Sequence, residues 1–123
     1  MVNVLVIEDN PLNMELILEI LRSQGFTVDT ADDGEKAIKM TETSTYDLIL
    51  MDIALPGIDG IEATKIIRSK PKFKNVPVFA LTAFAMAGDR ERLLKAGFNE
   101  YISKPLDVHE FIKKMEKIQG ELS

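Results

Sequence analysis

The 123-residue sequence predicts an α/β protein, a doubly wound parallel sheet of five strands with helices on both faces. Three observations carry that reading. Short apolar, β-branched runs alternate with amphipathic segments about five times over. The runs are nearly continuous rather than alternating, as strands buried on both faces require. Isolated polar residues follow the carboxyl ends of the runs, where open parallel sheets place their sites.

The first strand is expected over Val2–Ile7, which ends abruptly in Glu8-Asp9-Asn10-Pro11. From Pro11 to Gln24 the apolar residues Leu12, Leu16 and Ile20, with Ile17 and Leu21, recur at helical spacing, and Gly25 stops the helix. Phe26–Ala31 is short and β-prone, and Asp32-Asp33-Gly34-Glu35 offers a capping box into Ala37, Ile38 and Met40. Leu48–Met51 is the third strand and ends in Asp52 before the loop Pro56-Gly57-Ile58-Asp59-Gly60. Asp59 and Glu62 cap a helix through Ile66, Ile67 and Arg68, which Pro71 closes. Val78–Leu81 is the fourth strand, ending in Thr82-Ala83, and a helix follows from about Gly88 to Ala96, stopped by Gly97. Tyr101-Ile102 is a brief fifth strand. Asp107 and Glu110 then cap the last helix, through Phe111, Met115 and Ile118.

Composition removes several function classes. The chain is 46% hydrophobic, enough for one core, and a single domain over residues 1–123 is expected. Cysteine is absent, which excludes disulfides, thiolate metal sites and thiol chemistry together. A net charge of -5 supplies no electrostatic footprint for nucleic acid. The basic stretch Lys70-Pro71-Lys72-Phe73-Lys74 is an isolated solvated turn that nothing extends into a patch. No apolar run is long enough to span a membrane, and Met1-Val2-Asn3-Val4 lacks the features of a signal peptide, so a cytoplasmic location is expected. With His109 the only histidine, carboxylates must carry the chemistry.

In the flavodoxin-like order 2-1-3-4-5, strands one and three flank the switch point, which brings Glu8, Asp9 and Asp52 together. Three carboxylates in one place repel one another unless they share a cation. Hard oxygen donors select magnesium, calcium or manganese over softer metals, and magnesium is the natural choice because it tolerates few carboxylates and leaves positions for phosphoryl oxygens. Lys104 offers a positive charge and Thr82 a hydroxyl for orienting a phosphoryl group. Asp52, alone at a buried strand end before a glycine-bearing loop, is the best nucleophile and would become an acyl phosphate. Each residue also has an uneventful explanation. Glu8 or Asp9 is an ordinary helix cap, Asp52 and Thr82 are turn residues, and Lys104 is one more solvated lysine. The joint placement at four strand ends favours the site.

These residues resemble the receiver domain of two-component response regulators over essentially the whole chain. The match rests on Val4–Asp9, Met51-Asp52 leading to Leu55-Pro56-Gly57-x-Asp59-Gly60, Leu81-Thr82-Ala83, and Tyr101 three residues before Lys104-Pro105. The resemblance is to single-domain regulators of the DivK and CheY kind, with Leu81-Thr82-Ala83-Phe84-Ala85-Met86 more like the former. It implies that Asp52 accepts a phosphoryl group from the phosphohistidine of a sensor kinase or a histidine phosphotransfer protein. It implies Mg2+ on Glu8, Asp9, Asp52 and the backbone carbonyl of Ala54. Glu8 departs from the commoner aspartate of the family, and its extra methylene is long enough for its contact with the metal to run through a water. Pro105 matches a proline whose peptide bond is often cis in the family.

The resemblance further implies a phosphoacceptor signalling protein rather than an enzyme, with a downstream protein target and neither nucleic acid nor membrane insertion. A switch is expected in which Thr82 moves towards the phosphoryl group and Tyr101 turns into the space it leaves. Donor proteins are expected over Leu12, Asn13, Glu15, Pro105 and Leu106, although Leu12 suits the core equally well by its spacing. Phe84 and Ala54 are expected to leave hydrolytic water unoriented, giving a persistent phosphate. Three rivals fit less well. A flavin carrier would not place two acids in its phosphate loop, and an aspartate-nucleophile phosphatase needs an acid where Ala54 stands. A docking module working without phosphorylation predicts a degraded site, whereas every expected group is present.

Overall fold

A computed structural model describes residues 2–83 and 89–122. Five parallel strands, β1 (Asn3–Ile7), β2 (Thr27–Ala31), β3 (Leu48–Asp52), β4 (Val78–Thr82) and β5 (Glu100–Ser103), lie in the order β2-β1-β3-β4-β5. The helices are α1 (Pro11–Ser23), α2 (Gly34–Thr43), α3 (Gly60–Arg68), α4 (Asp89–Lys95) and α5 (Val108–Leu122). This is the flavodoxin-like arrangement.

Strand alternation divides the apolar side chains between two cores. Val4, Val6, Leu48, Leu50, Phe79 and Leu81 pack against α1 and α5, chiefly Ile17, Leu21, Phe111 and Met115. Leu5, Ile7, Ile49, Met51, Val78 and Ala80 face the other way, onto Ala37 of α2, Ala63 and Ile67 of α3, and Leu93 of α4. Burial on both faces explains why the central strands are apolar without interruption until their final residues.

Caps set where each helix meets the sheet. The side chain of Asn10 accepts from the N–H groups of Leu12 and Asn13, and Pro11 stands at the first helical position, where no N–H is required. Asp59 caps α3 through Glu62 N at 2.8 Å, and Asp107 caps α5 through Glu110 N at 3.1 Å. The helices α1 and α4 both end in the same glycine-based motif: Gly25 at φ 88° and Gly97 at φ 108° reverse the chain, while Phe26 N and Phe98 N bond back to Leu21 O and Leu93 O.

Four local expectations change. Phe26 belongs to the turn and not to β2, because its N–H is used in closing α1. The cap of α2 is Asp33, bonded to Lys36 N at 2.8 Å, in place of a box between Asp32 and Glu35; Asp32 instead pairs with the Lys36 ammonium. The helix α3 ends at Arg68, and Pro71 opens a short 3-10 turn over Pro71–Phe73. The basic stretch containing that turn is not simply solvated: Phe73 is fully buried, and Lys70 and Lys72 donate to main-chain oxygens of Ile38, Glu42 and Ser44 in and just after α2. The Lys72 ammonium thus answers carbonyls at the helix carboxyl end, where cations are favoured, while Lys70 reaches the middle of α2.

Candidate functional site

Adjacent strand ends assemble the site. Asp52 is the last residue of β3 and pairs in register with Leu81. Glu8 follows β1 directly, and its N–H donates to Ala31 O at 3.1 Å. Thr82 ends β4, and its carbonyl accepts from Lys104 N at 2.8 Å, which fixes where the lysine leaves β5. Glu8 and Asp52 are almost inaccessible, 1% and 2% exposed, whereas Asp9 is exposed. The Lys104 ammonium lies 2.9 Å from Asp52 Oδ2 and 2.7 Å from Glu8 Oε1. One carboxylate oxygen from each of Glu8, Asp9 and Asp52 falls within 4.8 Å of the others.

Burial strains these charges. Loss of water and the adjacent Glu8 carboxylate push Asp52 up to about 7, with Lys104 pulling against them. Burial also pushes Glu8 up, but hydrogen bonding with Asp52 and Lys104 outweighs it and holds Glu8 below the usual range. Lys104 is raised, because its contacts with Glu8 and Asp52 overcome its own desolvation. Three carboxylates face one ammonium, so the cluster carries excess negative charge in a poorly hydrated place. A divalent cation binding oxygen donors relieves that excess, and the donor set fits magnesium.

The uneventful explanations separate here. Asn10 occupies the cap of α1, so neither Glu8 nor Asp9 is spent on that helix, although Glu8 Oε2 accepts from Asn10 N at 3.2 Å. Asp52 does make a local turn contact, accepting from Ala54 N at Oδ1, 3.0 Å away, while its second oxygen faces Lys104. Lys104 is not a solvated lysine. A residue absent from the expected set also shapes the site: a Cβ at Gly60 would sit 2.0 Å from Asp52 O, so only glycine lets α3 begin against the end of β3. The loop Pro56-Gly57-Ile58-Asp59-Gly60 carried the signal, as a glycine directly after a capping aspartate.

Thr82 is buried at the neighbouring strand end. Tyr101 is half-buried and pairs in register with Ala80, two positions before the level of Thr82, which is matched with Ser103. Leu12 is 76% exposed, which decides against its core placement. A narrow crevice is lined by Glu8, Asn13, Lys104 and Leu106. The Lys104–Pro105 peptide is cis. Phe84 lies outside the described residues, so the expected role of that side chain stays with the sequence.

The model of the response regulator receiver domain matches residues 4–116. The chain belongs to that family. As a receiver domain it is similar to the polar-differentiation response regulator DivK of Brucella anthropi, 39% identical over 119 residues covering 97% of each chain. Among solved structures, the receiver domain of sensor histidine kinase PA1611 from Pseudomonas aeruginosa PAO1 is 42% identical with a TM-score of 0.85, covering 94% of this chain and 95% of that one. That receiver domain holds a magnesium ion coordinated in its active-site cleft. A response regulator from Chloroflexus aurantiacus, 30% identical, superposes with a TM-score of 0.88 over 95% of this chain and 96% of its own. Chemotaxis response regulator CheY4 of Vibrio cholerae, at 24% identity and a TM-score of 0.91 over 96% and 98% of the two chains, shares the fold. Membership places this receiver domain in two-component signalling, and no helix among its described residues is long and apolar enough to cross a membrane.

Proposed function

We propose that this receiver domain takes a phosphoryl group from a phosphohistidine onto Asp52 and uses the acyl phosphate to change its affinity for a protein target. The observation that carries the reading is the buried Asp52 carboxylate, held by Lys104 beside Glu8 and Asp9 at adjoining strand ends. An Asp52 oxygen attacks phosphorus, the P–N bond to imidazole breaks as the P–O bond forms, and the imidazole keeps the electron pair and takes a proton. Lys104 stabilises charge on the transferred oxygens, and Thr82 offers its hydroxyl from the neighbouring strand end.

Glu8, Asp9, Asp52 and the carbonyl of Ala54 are the proposed holders of Mg2+, with Glu8 acting through a water. When bound, the ion neutralises the acids and the phosphoryl oxygens together. Deprotonated Asp52 is required as nucleophile, and Lys104 favours that form. The domain acts as a phosphoacceptor with slow self-dephosphorylation rather than as a turnover enzyme. Its donors are a sensor histidine kinase or a histidine phosphotransfer protein docking over Leu12, Asn13, Glu15, Pro105 and Leu106, and its site of action is the cytoplasm. Readout runs through Thr82 and Tyr101. A docking module that needs no phosphate explains none of the placements of Asp52, Lys104 and the acid pair.

Incubation with acetyl phosphate and magnesium tests this directly. The expected product is a base-labile phosphate mapped by mass spectrometry to the peptide containing Asp52, abolished in Asp52→Asn and by chelation of the metal. Undiminished phosphate on the Asp52→Asn protein removes the assignment.

A further inference from the structure

Lys114 of α5 lies outside the proposed phosphoacceptor set, yet it makes two contacts with one residue of that account. Its ammonium donates to the Tyr101 carbonyl oxygen at 2.7 Å and lies 5.3 Å from the centroid of the Tyr101 ring. The strand β5 is the last in the sheet order, so the outward main-chain groups of Tyr101 have no strand beside them. Both are answered by charged side chains: the carbonyl by Lys114, and the N–H by Glu100 Oε1 at 3.0 Å. The backbone of Tyr101 is thereby pinned and the ring is the part left to turn.

The carbonyl contact does not depend on the ring's rotamer, so the ammonium stays in place whichever way the ring points. The attraction between cation and ring face exists only when the ring lies under the ammonium. One orientation of Tyr101 therefore gains an interaction that another lacks, which is the condition for biasing a two-state element. We propose that Lys114 is a positioning residue that holds the Tyr101 ring in the orientation seen here and so sets how much of the unphosphorylated protein already occupies the switched state. The inference rests on the reading of Tyr101 as the switch residue. Removal of the charge is expected to move the ring equilibrium by about two- to fivefold, the size of a partly exposed cation–ring contact.

The chain has two tyrosines and no tryptophan, so ring resonances of 13C-labelled tyrosine resolve Tyr101 beside an internal reference. Tyr46 supplies that reference, being buried and donating to Asp29 Oδ2 at 2.8 Å. In the unphosphorylated protein, Lys114→Met, which keeps the apolar stem, is expected to shift the Tyr101 ring signals and leave those of Tyr46 in place. Lys114→Arg should restore the wild-type positions, and labelling of Asp52 should be unchanged in both. Tyr101 signals that superimpose in wild type and Lys114→Met overturn the proposal. Adding beryllofluoride with magnesium separates it from the reading beneath it. If that phosphoryl mimic leaves wild-type Tyr101 unmoved, the switch reading fails, whereas the Lys114 contact is decided by the spectra taken before the mimic is added.

Discussion

Asp52 is raised to about 7 by burial and by Glu8, so near neutrality the metal-free protein holds part of it protonated. The sign of the consequence follows from linkage. The folded state keeps this proton to higher pH than the unfolded chain, so stability falls as pH climbs from the ordinary carboxylate range through about 7. Asp52→Asn removes that burden. We expect the variant to exceed wild type by about 1–2 kcal/mol at pH 8 without metal, a gap that narrows towards pH 5 and on adding magnesium. Urea unfolding measures it, and equal midpoints at pH 8 contradict it. Gly60 acts through space rather than charge. Gly60→Ala forces a Cβ into Asp52 O and should cost about 2–3 kcal/mol or displace the start of α3, visible as a lower midpoint and weaker metal binding. Site residues at strand ends were legible because a lone polar group closing an apolar run is itself a pattern. Gly60 is legible as a glycine directly after a capping aspartate, but its identity does not say which backbone approaches it.

The elements depend on contacts of both legible and hidden kinds. Asp59 and Asp107 stand immediately before amphipathic stretches, and capping chemistry locates α3 and α5, whereas apolar spacing locates α1 and its cap is Asn10 in place of Glu8 or Asp9. Arg68 shows what escapes such reasoning. Its guanidinium donates to carbonyls of Gly97, Phe73, Lys74 and Val76 and to Asn99 Oδ1, tying the end of α3 to the turns before β4 and β5. Most of those acceptors are main-chain oxygens, which carry no sequence signature, so nothing in the sequence marks Arg68 for this role. Arg68→Met strands several of them and is expected to cost about 2–4 kcal/mol, measured by denaturant unfolding. A loss below about 0.5 kcal/mol would show that water replaces the guanidinium freely. Phe73 misled for a related reason. Three lysines surround it in sequence, yet Lys70 and Lys72 turn to α2 while the ring enters the core.

Across the whole molecule, the alternation of buried runs and amphipathic segments predicts a parallel sheet but not its strand order; the flavodoxin-like order, which brings Glu8, Asp9 and Asp52 together, is the one observed. Surface function was less legible. Helical spacing divides Leu12 between core and solvent, and its 76% exposure decides for solvent, as the proposed docking requires. That exposure predicts a separation of two rates. Leu12→Glu should slow phosphorylation by a protein donor about tenfold or more, as loss of a central apolar contact does, while labelling by acetyl phosphate stays at the wild-type rate. Equal slowing of both would place Leu12 in the chemistry instead of the docking. The central claim, that Asp52 is the phosphoacceptor of a signalling relay, is tested most directly by radiolabel transfer. Each sensor kinase and histidine phosphotransfer protein of the source organism is phosphorylated in turn and offered to wild type and to Asp52→Asn with magnesium. The account predicts rapid, base-labile label on wild type from at least one donor and none on the variant. Transfer from no donor, or equal label on both proteins, would contradict it.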